Sequence, residues 1–158
     1  MSSPDIIVER LTEYSDSDAV GIGRLMPFLN DTLNDEPMDE ALLTMIIDSP
    51  YHDQLVARLD GIVVGVATVN LLLGPGMEME GYLEDFVVDP EVRGRGIGDK
   101  LWQAIIDWCR EKNVDLGFTS NPARVAAHRF YNSHGAEIRD TTVFRVSVDR
   151  MASTALTQ

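Results

Sequence analysis

Residues 86–98 have the sequence Phe86-Val87-Val88-Asp89-Pro90-Glu91-Val92-Arg93-Gly94-Arg95-Gly96-Ile97-Gly98. The first three residues are apolar and end a predicted strand, and a helical pattern begins at Ile97. Glycine permits positive φ and lets a bulky anion approach the backbone, while a helix start offers unpaired N–H groups and a partial positive charge. The stretch therefore predicts a strand-to-helix turn that binds a diphosphate, with Arg93 and Arg95 adding positive charge.

Two other phosphate-binding patterns do not fit this turn. A P-loop requires Gly-Lys followed by Ser or Thr, whereas Gly98 is followed by Asp99-Lys100-Leu101. A dinucleotide fingerprint requires Gly-x-Gly-x-x-Gly, and the glycines here occupy every second position. The alternative for this stretch is a plain strand-to-helix turn that holds no ligand.

The rest of the chain alternates predicted strands and helices. The predicted strands are 6–11, 54–59, 62–73, 79–88, 115–119 and 137–148. The predicted helices are 18–29, a segment from Pro37 to the stop at Ser49-Pro50, 97–112, and a segment from Pro122, capped by Asn121, to residue 132 or 133 before Gly135. Asp60-Gly61 is a strong hairpin signal. The order β-α-α-β-β-β-α-β-α-β predicts an α/β fold with a mixed sheet and helices on both faces.

Length and composition indicate one compact domain over residues 1–150, followed by a flexible tail from 151 to 158. No run approaches the roughly 20 apolar residues of a membrane helix, and the start lacks the basic-then-apolar order of a signal peptide. We therefore expect a cytoplasmic protein without a membrane partner. The single cysteine, Cys109, lies among apolar residues of a predicted helix and is expected to be buried and inert.

Charge is distributed unevenly along the chain. The net charge of −13 argues against a nucleic-acid partner, because nucleic-acid affinity depends on Lys and Arg at phosphates. Residues 1–80 contain 3 Lys and Arg against 15 Asp and Glu, whereas residues 81–158 contain 10 against 11. His52, His128 and His134 lack the spacing of a metal site, so we expect no metal.

A second motif lies downstream, at Ala127-His128-Arg129-Phe130-Tyr131-Asn132-Ser133-His134-Gly135-Ala136. It is similar to a helix of the GNAT superfamily that ends in an aromatic residue, Tyr, a few polar residues and Gly-Phe, with Ala136 here in place of the final aromatic residue. The stretch from Val88 to Gly98 resembles the cofactor motif of the same superfamily, because Arg93, Gly96 and Gly98 match its kernel in order. The strand order also resembles that of the superfamily over nearly the whole chain.

The resemblance implies an N-acetyltransferase that uses acetyl-coenzyme A. In the family the fourth strand carries a bulge and splays from the fifth, and the opening admits the pantetheine arm of the cofactor. Phe86, Val87 and Val88 would then hydrogen-bond that arm, with the Val88 amide polarising the thioester carbonyl. The loop from Arg93 to Asp99 would hold the diphosphate, and Arg124 stands where many members place an Asn near the cofactor.

Transfer to an amine requires a base, because removing the proton of a lysine-like amine at neutral pH costs about 4 kcal/mol. Glu84 and Asp85 are the candidates. Neighbouring side chains on a strand point to opposite faces, so both can serve one site only if the bulge reorients one of them; we favour Glu84. Tyr131 occupies the family's position for the acid that protonates the departing thiolate. Direct attack in a ternary complex is expected, since no acyl-enzyme nucleophile is recognisable.

The acceptor is the least determined part of the prediction. An acidic loop, residues 30–40, contains Asp31, Asp35, Glu36, Asp39 and Glu40, and it is a candidate rim that attracts a small cationic amine. The alternative is that these acids favour the start of the next helix and keep the protein soluble.

Three rival functions remain at this point. They are a protein or peptide N-terminal acetyltransferase, a non-catalytic acyl-coenzyme A sensor, and an interaction domain that binds no coenzyme A. The oligomeric state is also open, with a homodimer as the form that family members often adopt.

Overall fold

The computed structural model describes residues 3–149, and the tail expected from residue 151 onward lies outside them. Its strands are β1 (Ile6–Arg10), β2 (His52–Leu59), β3 (Ile62–Leu72), β4 (Glu80–Val88) and β5 (Leu116–Gly117). Its helices are α1 (Asp16–Leu29), α2 (Glu40–Asp48), α3 (Ile97–Lys112) and α4 (Val125–Ser133), with a short 3₁₀ helix at Pro90–Val92. None of the helices in these residues has the length and apolar character needed to cross a membrane.

The strands form one mixed sheet in the order β1-β2-β3-β4-β5. β1 to β4 pair antiparallel, and β4 pairs parallel with β5 across the α3 crossover. Asp60 and Gly61 connect β2 to β3 with φ of 50° and 85°, as a two-residue hairpin turn requires. The predicted α/β class and mixed sheet are therefore confirmed.

Helices cover both faces of this sheet. Val66 of β3 belongs to the core cluster that includes Ile22 and Leu25 of α1. A side chain at the adjacent residue, Gly65, would instead meet Ile97 and Leu101 of α3. Because neighbouring residues of a strand point to opposite faces, α1 and α3 lie on opposite sides of β3.

The chain divides into two compact units, Met1–Thr119 and Ser120–Gln158. The first contains the sheet with α1, α2 and α3, and the second contains α4. The expectation of a single domain over residues 1–150 stays a prediction.

In the described residues the expected last strand is absent, two helices begin three residues later than expected, and other bounds differ by up to two residues. Residues 137–149 are not in a strand, and their alternating pattern is interrupted where Val143 and Phe144 are adjacent. α4 begins at Val125 rather than Pro122, because Asn121 forms a separate turn in which its side chain accepts from the Ala123 amide at 2.9 Å. α2 begins at Glu40 rather than Pro37, because Asp39 caps it by accepting from the Leu42 amide at 2.9 Å.

Candidate functional site

A β-bulge lies in the middle of β4. Thr68 of β3 is opposite Asp85, but the next residue, Val69, is opposite Leu83, so Glu84 has no counterpart on β3. An additional residue of this kind interrupts the regular alternation of side chains. The bulge implied by the family resemblance is thus present, and it falls on the two predicted carboxylates.

The bulge brings the two carboxylates to one face of the sheet. With its side-chain nitrogen turned toward the surrounding acceptors, Asn70 donates to Glu84 Oε1 at 3.1 Å, while Asp85 is hydrogen-bonded with Thr68. Thr68 and Asn70 are two residues apart on β3 and therefore share a face. Val66, two residues before Thr68, packs in the α1 core, so Glu84 and Asp85 belong to the α1 face.

Buried polar side chains surround the carboxylates. Gln54 of β2 is opposite Thr68 in the sheet register. The Thr68 hydroxyl donates to Gln54 Oε1 at 3.2 Å, and Gln54 Nε2 donates to the Ala67 carbonyl at 3.1 Å. Gln54, Thr68 and Asn70 are all buried. Sequence reasoning missed them, although polar residues at positions 54, 68 and 70 of otherwise apolar strands were the available signal.

The two carboxylates have different surroundings. Burial raises the pKa of Asp85, and its hydrogen bond with Thr68 offsets only part of that rise. Glu84 is exposed to solvent at the bulge. An exposed carboxylate beside a half-buried one is an arrangement in which Glu84 can reach a soluble amine while Asp85 remains within the sheet.

The sheet opens directly beyond these residues. β4 pairs with β5 only at Gly81 with Leu116 and Tyr82 with Gly117, whereas β4 continues to Val88 along β3. The Asp89 amide donates to the Val64 carbonyl at 2.8 Å. Because alternate amides of a strand point to opposite sides, the Val88 amide points away from β3, toward the side that β5 has left. The expected splay between the fourth and fifth strands, β4 and β5, is therefore present.

The glycine-rich loop follows at the end of the same strand. Gly94 and Gly96 have φ of 81° and 80°, in the left-handed region that favours glycine, and α3 begins at Ile97. Arg93, Gly94, Arg95 and Gly96 are exposed, while Ile97 is buried and anchors the helix. The first amides of α3 have no intrahelical acceptor, so this loop combines main-chain donors, a helix N-terminus and two arginines. Asp99 lies in the first turn of α3.

Tyr131 and Arg124 lie in the second compact unit. Tyr131 is on α4 and is only 7% exposed, with its ring 6.1 Å from that of Phe130. Burial raises the pKa of the Tyr131 hydroxyl, and the charge of Arg124 opposes that rise. The hydroxyl therefore keeps its proton at neutral pH, as a proton donor must. Arg124 occupies the N-cap position of α4.

The acidic loop lies along α1. A side chain at Gly23 of α1 would overlap the Glu36 carbonyl oxygen, and the Met38 amide donates to the Ala19 carbonyl at 3.0 Å. Asp31, Asp35 and Glu36 are exposed, and none of them forms an ion pair with another residue in the 3–149 range. Asp39 and Glu40 serve the start of α2, so the helix-stabilising alternative accounts for these two acids.

The remaining reactive side chains do not form a second centre. Cys109 is buried, and burial raises the pKa of its thiol to about 11, which makes it a poor nucleophile. Among the described residues, no three His, Cys, Asp or Glu side chains cluster closely enough to hold a metal ion.

Comparison with known proteins places the chain in a family. Residues 22–136 match the model of the acetyltransferase (GNAT) family, and the chain belongs to that family. The membership confirms the predicted enzyme class, an N-acetyltransferase, and the expected carrier, acetyl-coenzyme A.

Relatives with known names are similar over different shares of the chain. The aminoglycoside N(6')-acetyltransferase type 1 of Stenotrophomonas maltophilia is 30% identical over 70% of this chain and 74% of its own. The N-alpha-acetyltransferase RimI of Mycobacterium tuberculosis is 33% identical over 61% of each chain, so the match spans less than two thirds of that relative. The aminoglycoside acetyltransferase meta-AAC0020 from a soil metagenome, solved with sisomicin, has a TM-score of 0.79 at 22% identity and covers 91% of this chain and 97% of its own.

Proposed function

We propose that this chain transfers the acetyl group of acetyl-coenzyme A to a primary amine of a small cationic molecule by direct attack. The observation that carries the proposal is the β4 bulge, which puts Glu84 and Asp85 on one face, immediately before the opening between β4 and β5. A base, an opening for the carrier and a diphosphate loop thereby follow one another along a single strand and its exit.

The carrier is assigned to main-chain groups of the first unit. The diphosphate binds the loop from Arg93 to Asp99, and residues 86–88 hydrogen-bond the pantetheine arm. The outward amide of Val88 donates to the thioester carbonyl oxygen, where negative charge develops during attack. Arg124 adds a positive charge for the carrier's phosphates.

Transfer then needs one base and one acid. Glu84 takes the proton of the acceptor ammonium, directly or through water, and the free amine attacks the thioester carbon. The carbon–sulfur bond breaks, the departing thiolate takes the proton of the Tyr131 hydroxyl, and the second proton that the attacking nitrogen loses returns to the Tyr131 oxygen through water. The group arrives at the reaction protonated, because an ordinary tyrosine pKa of about 10 already lies above neutral pH and burial raises the pKa of Tyr131 further.

The acceptor class rests on charge. The acidic loop with Asp31, Asp35 and Glu36 lies along α1, which covers the same sheet face as Glu84. Residues 1–80 carry 15 acids against 3 bases, a field that attracts cations. Aminoglycosides are polycationic amines, and the named aminoglycoside acetyltransferases among the relatives support this class of acceptor.

A panel assay tests the acceptor. Purified protein is mixed with acetyl-coenzyme A and sisomicin, spermidine, L-glutamate or a peptide with a free N-terminal alanine, and release of the coenzyme A thiol is followed. The proposal expects turnover of the cationic amines above the acidic amino acid, while equal turnover of both removes the charge argument. Preference for the peptide would instead support an N-terminal acetyltransferase, the activity named for the mycobacterial relative.

Tyr131→Phe separates an enzyme from a sensor. An enzyme loses turnover by about tenfold or more, because the thiolate leaves without its proton donor, yet it keeps coenzyme A binding by calorimetry. A sensor binds the carrier equally well in both forms and releases no thiol in either. Absence of coenzyme A binding by the wild-type protein would refute both.

We further propose that the protein works in the cytoplasm as a homodimer. The apolar side chains of residues 138–148 support self-association, since Phe144 and Val146 are each 86% exposed. Sedimentation velocity tests the dimer, which a single monomeric species at micromolar concentration would exclude.

A further inference from the structure

The glycine-rich loop is exposed between two anchored ends. Residues 93–96 are all exposed to solvent. Ile97 anchors the far end in the core. The near end emerges from β4 through Asp89 and the 3₁₀ helix Pro90–Val92. Whatever fixes Asp89 therefore fixes where the loop begins.

Asp89 is fixed by three hydrogen bonds. It is 4% exposed, its amide donates to the Val64 carbonyl at 2.8 Å, and its Oδ1 accepts from the Glu91 amide at 2.9 Å, which caps the 3₁₀ helix. Its Oδ2 accepts from Arg24 Nη1 at 2.7 Å. Burial alone would raise the pKa of Asp89, but the Glu91 amide and the Arg24 guanidinium together lower it, so the carboxylate is charged at neutral pH.

Arg24 connects three elements at this point. Its second nitrogen, Nη2, donates to the Val63 carbonyl of β3 at 3.0 Å, while its stem belongs to α1. One guanidinium thus joins α1, β3 and the exit of β4, with two nitrogens in fixed directions that a lysine does not offer.

We infer that Arg24 is a positioning residue for coenzyme A: through Asp89 it sets the place of the diphosphate loop without touching the carrier. The inference rests on the proposed function, because it assumes that residues 93–98 hold the diphosphate. Neither glycine motif nor helix pattern points to Arg24, which is 65 residues from Asp89 in sequence.

A matched ion pair provides the control. Arg58 of β2 donates to Asp18 of α1 at 2.7 Å; this pair also joins α1 to the sheet, and Arg58 is more buried than Arg24, but the pair does not involve the β4 exit. Because Arg58 also pairs with Glu9 of β1, Arg58→Met should lower the melting temperature at least as much as Arg24→Met. Only Arg24→Met should weaken coenzyme A binding, by about tenfold in Kd measured by calorimetry on the full chain.

Three further measurements distinguish positioning from a general loss of structure. Arg24→Lys should recover part of the affinity, because it keeps the charge and loses the second donor. Asp89→Asn should weaken binding as Arg24→Met does, and the double variant should be no weaker than Asp89→Asn alone, since the two residues act through one contact. 3'-Dephospho-coenzyme A should show the same ratio between wild type and Arg24→Met, because it retains the diphosphate.

Two results overturn the inference. One is wild-type affinity in Arg24→Met and Asp89→Asn, and the other is an equal loss of affinity in Arg58→Met. Either can occur while the wild-type protein binds coenzyme A, and the proposed function then stands. If the wild-type protein takes up no coenzyme A, the proposed function and the inference both fail.

Discussion

The bulge of β4 and the glycine-rich loop lie within fifteen residues of each other, yet one presents side chains and the other presents main-chain groups. At the bulge the functional groups are side chains, and buried polar neighbours such as Asn70 and Thr68 hold them. In the loop they are main-chain amides, presented by exposed glycines with φ near 80°. Under the proposed function, the reaction therefore depends on replaceable side chains, whereas binding of the carrier depends on backbone geometry.

The largest expected effect comes from the bulge. Glu84→Gln removes the proposed base and keeps the size of the side chain, so kcat should fall about 100-fold with the best acceptor of the panel. The Kd for coenzyme A should not change, because the loop amides are untouched. Steady-state kinetics and calorimetry on the same preparation measure the two quantities.

Asp85→Asn is the matched control for that variant. It changes the neighbouring carboxylate on the same face, and kcat should fall by less than about tenfold. If Asp85→Asn loses more turnover than Glu84→Gln, Asp85 is the base and the assignment of Glu84 is wrong.

A smaller effect is expected from the loop. Gly96→Ala forces a side chain into positive φ, at a cost of about 1–2 kcal/mol, and the loop relieves this by moving its amides. Coenzyme A binding should weaken about tenfold by calorimetry. Gly61→Ala in the β2–β3 hairpin carries the same strain, at φ of 85° and with equally open space around it, and should leave binding unchanged.

If Gly61→Ala weakens binding as much as Gly96→Ala, the loss reports lowered stability, and the contrast between backbone and side-chain regions does not hold. Thermal unfolding of both variants is the necessary companion measurement.

The smallest effect concerns stability at the bulge. The pKa of Asp85 is raised by burial, so its ionisation favours the unfolded chain as pH rises above the unfolded value of about 3.9. Asp85→Asn should therefore melt a few degrees higher than wild type at pH 7, and the difference should disappear as the pH falls to about 4. A difference of equal size at both pH values would show that Asp85 is not held in a desolvated state.

Local patterns predicted much of this fold. α3 begins and ends where its apolar face indicated, at Ile97 and Lys112, and the Asp60-Gly61 hairpin is where its turn residues placed it. Both depend on interactions between near neighbours in sequence. Residues 137–149 depend on a partner strand, and an alternating pattern alone does not supply one.

The candidate site was also predictable only where it depends on residues that are close together in sequence. The sequence pointed to Glu84 and Asp85, but whether they share a face depends on which residue of β4 lacks a counterpart on β3, and pairing across the sheet decides that. The roles of Gln54 and Arg24 depend on contacts with residues far away in sequence, Thr68 and Asp89. A single sequence can show that a residue is polar in an apolar segment, but it does not show which distant residue it contacts.

Because Glu84 has no counterpart on β3, the arrangement of the two carboxylates depends on the number of residues in β4. Deletion of Glu84 would restore a regular ladder in which Leu83 and Asp85 keep their counterparts Val69 and Thr68. Asp85 would still lie opposite Thr68, so the α1 face would keep one carboxylate where it now has two. Evolution can therefore exchange residues along β4 more freely than it can insert or delete them.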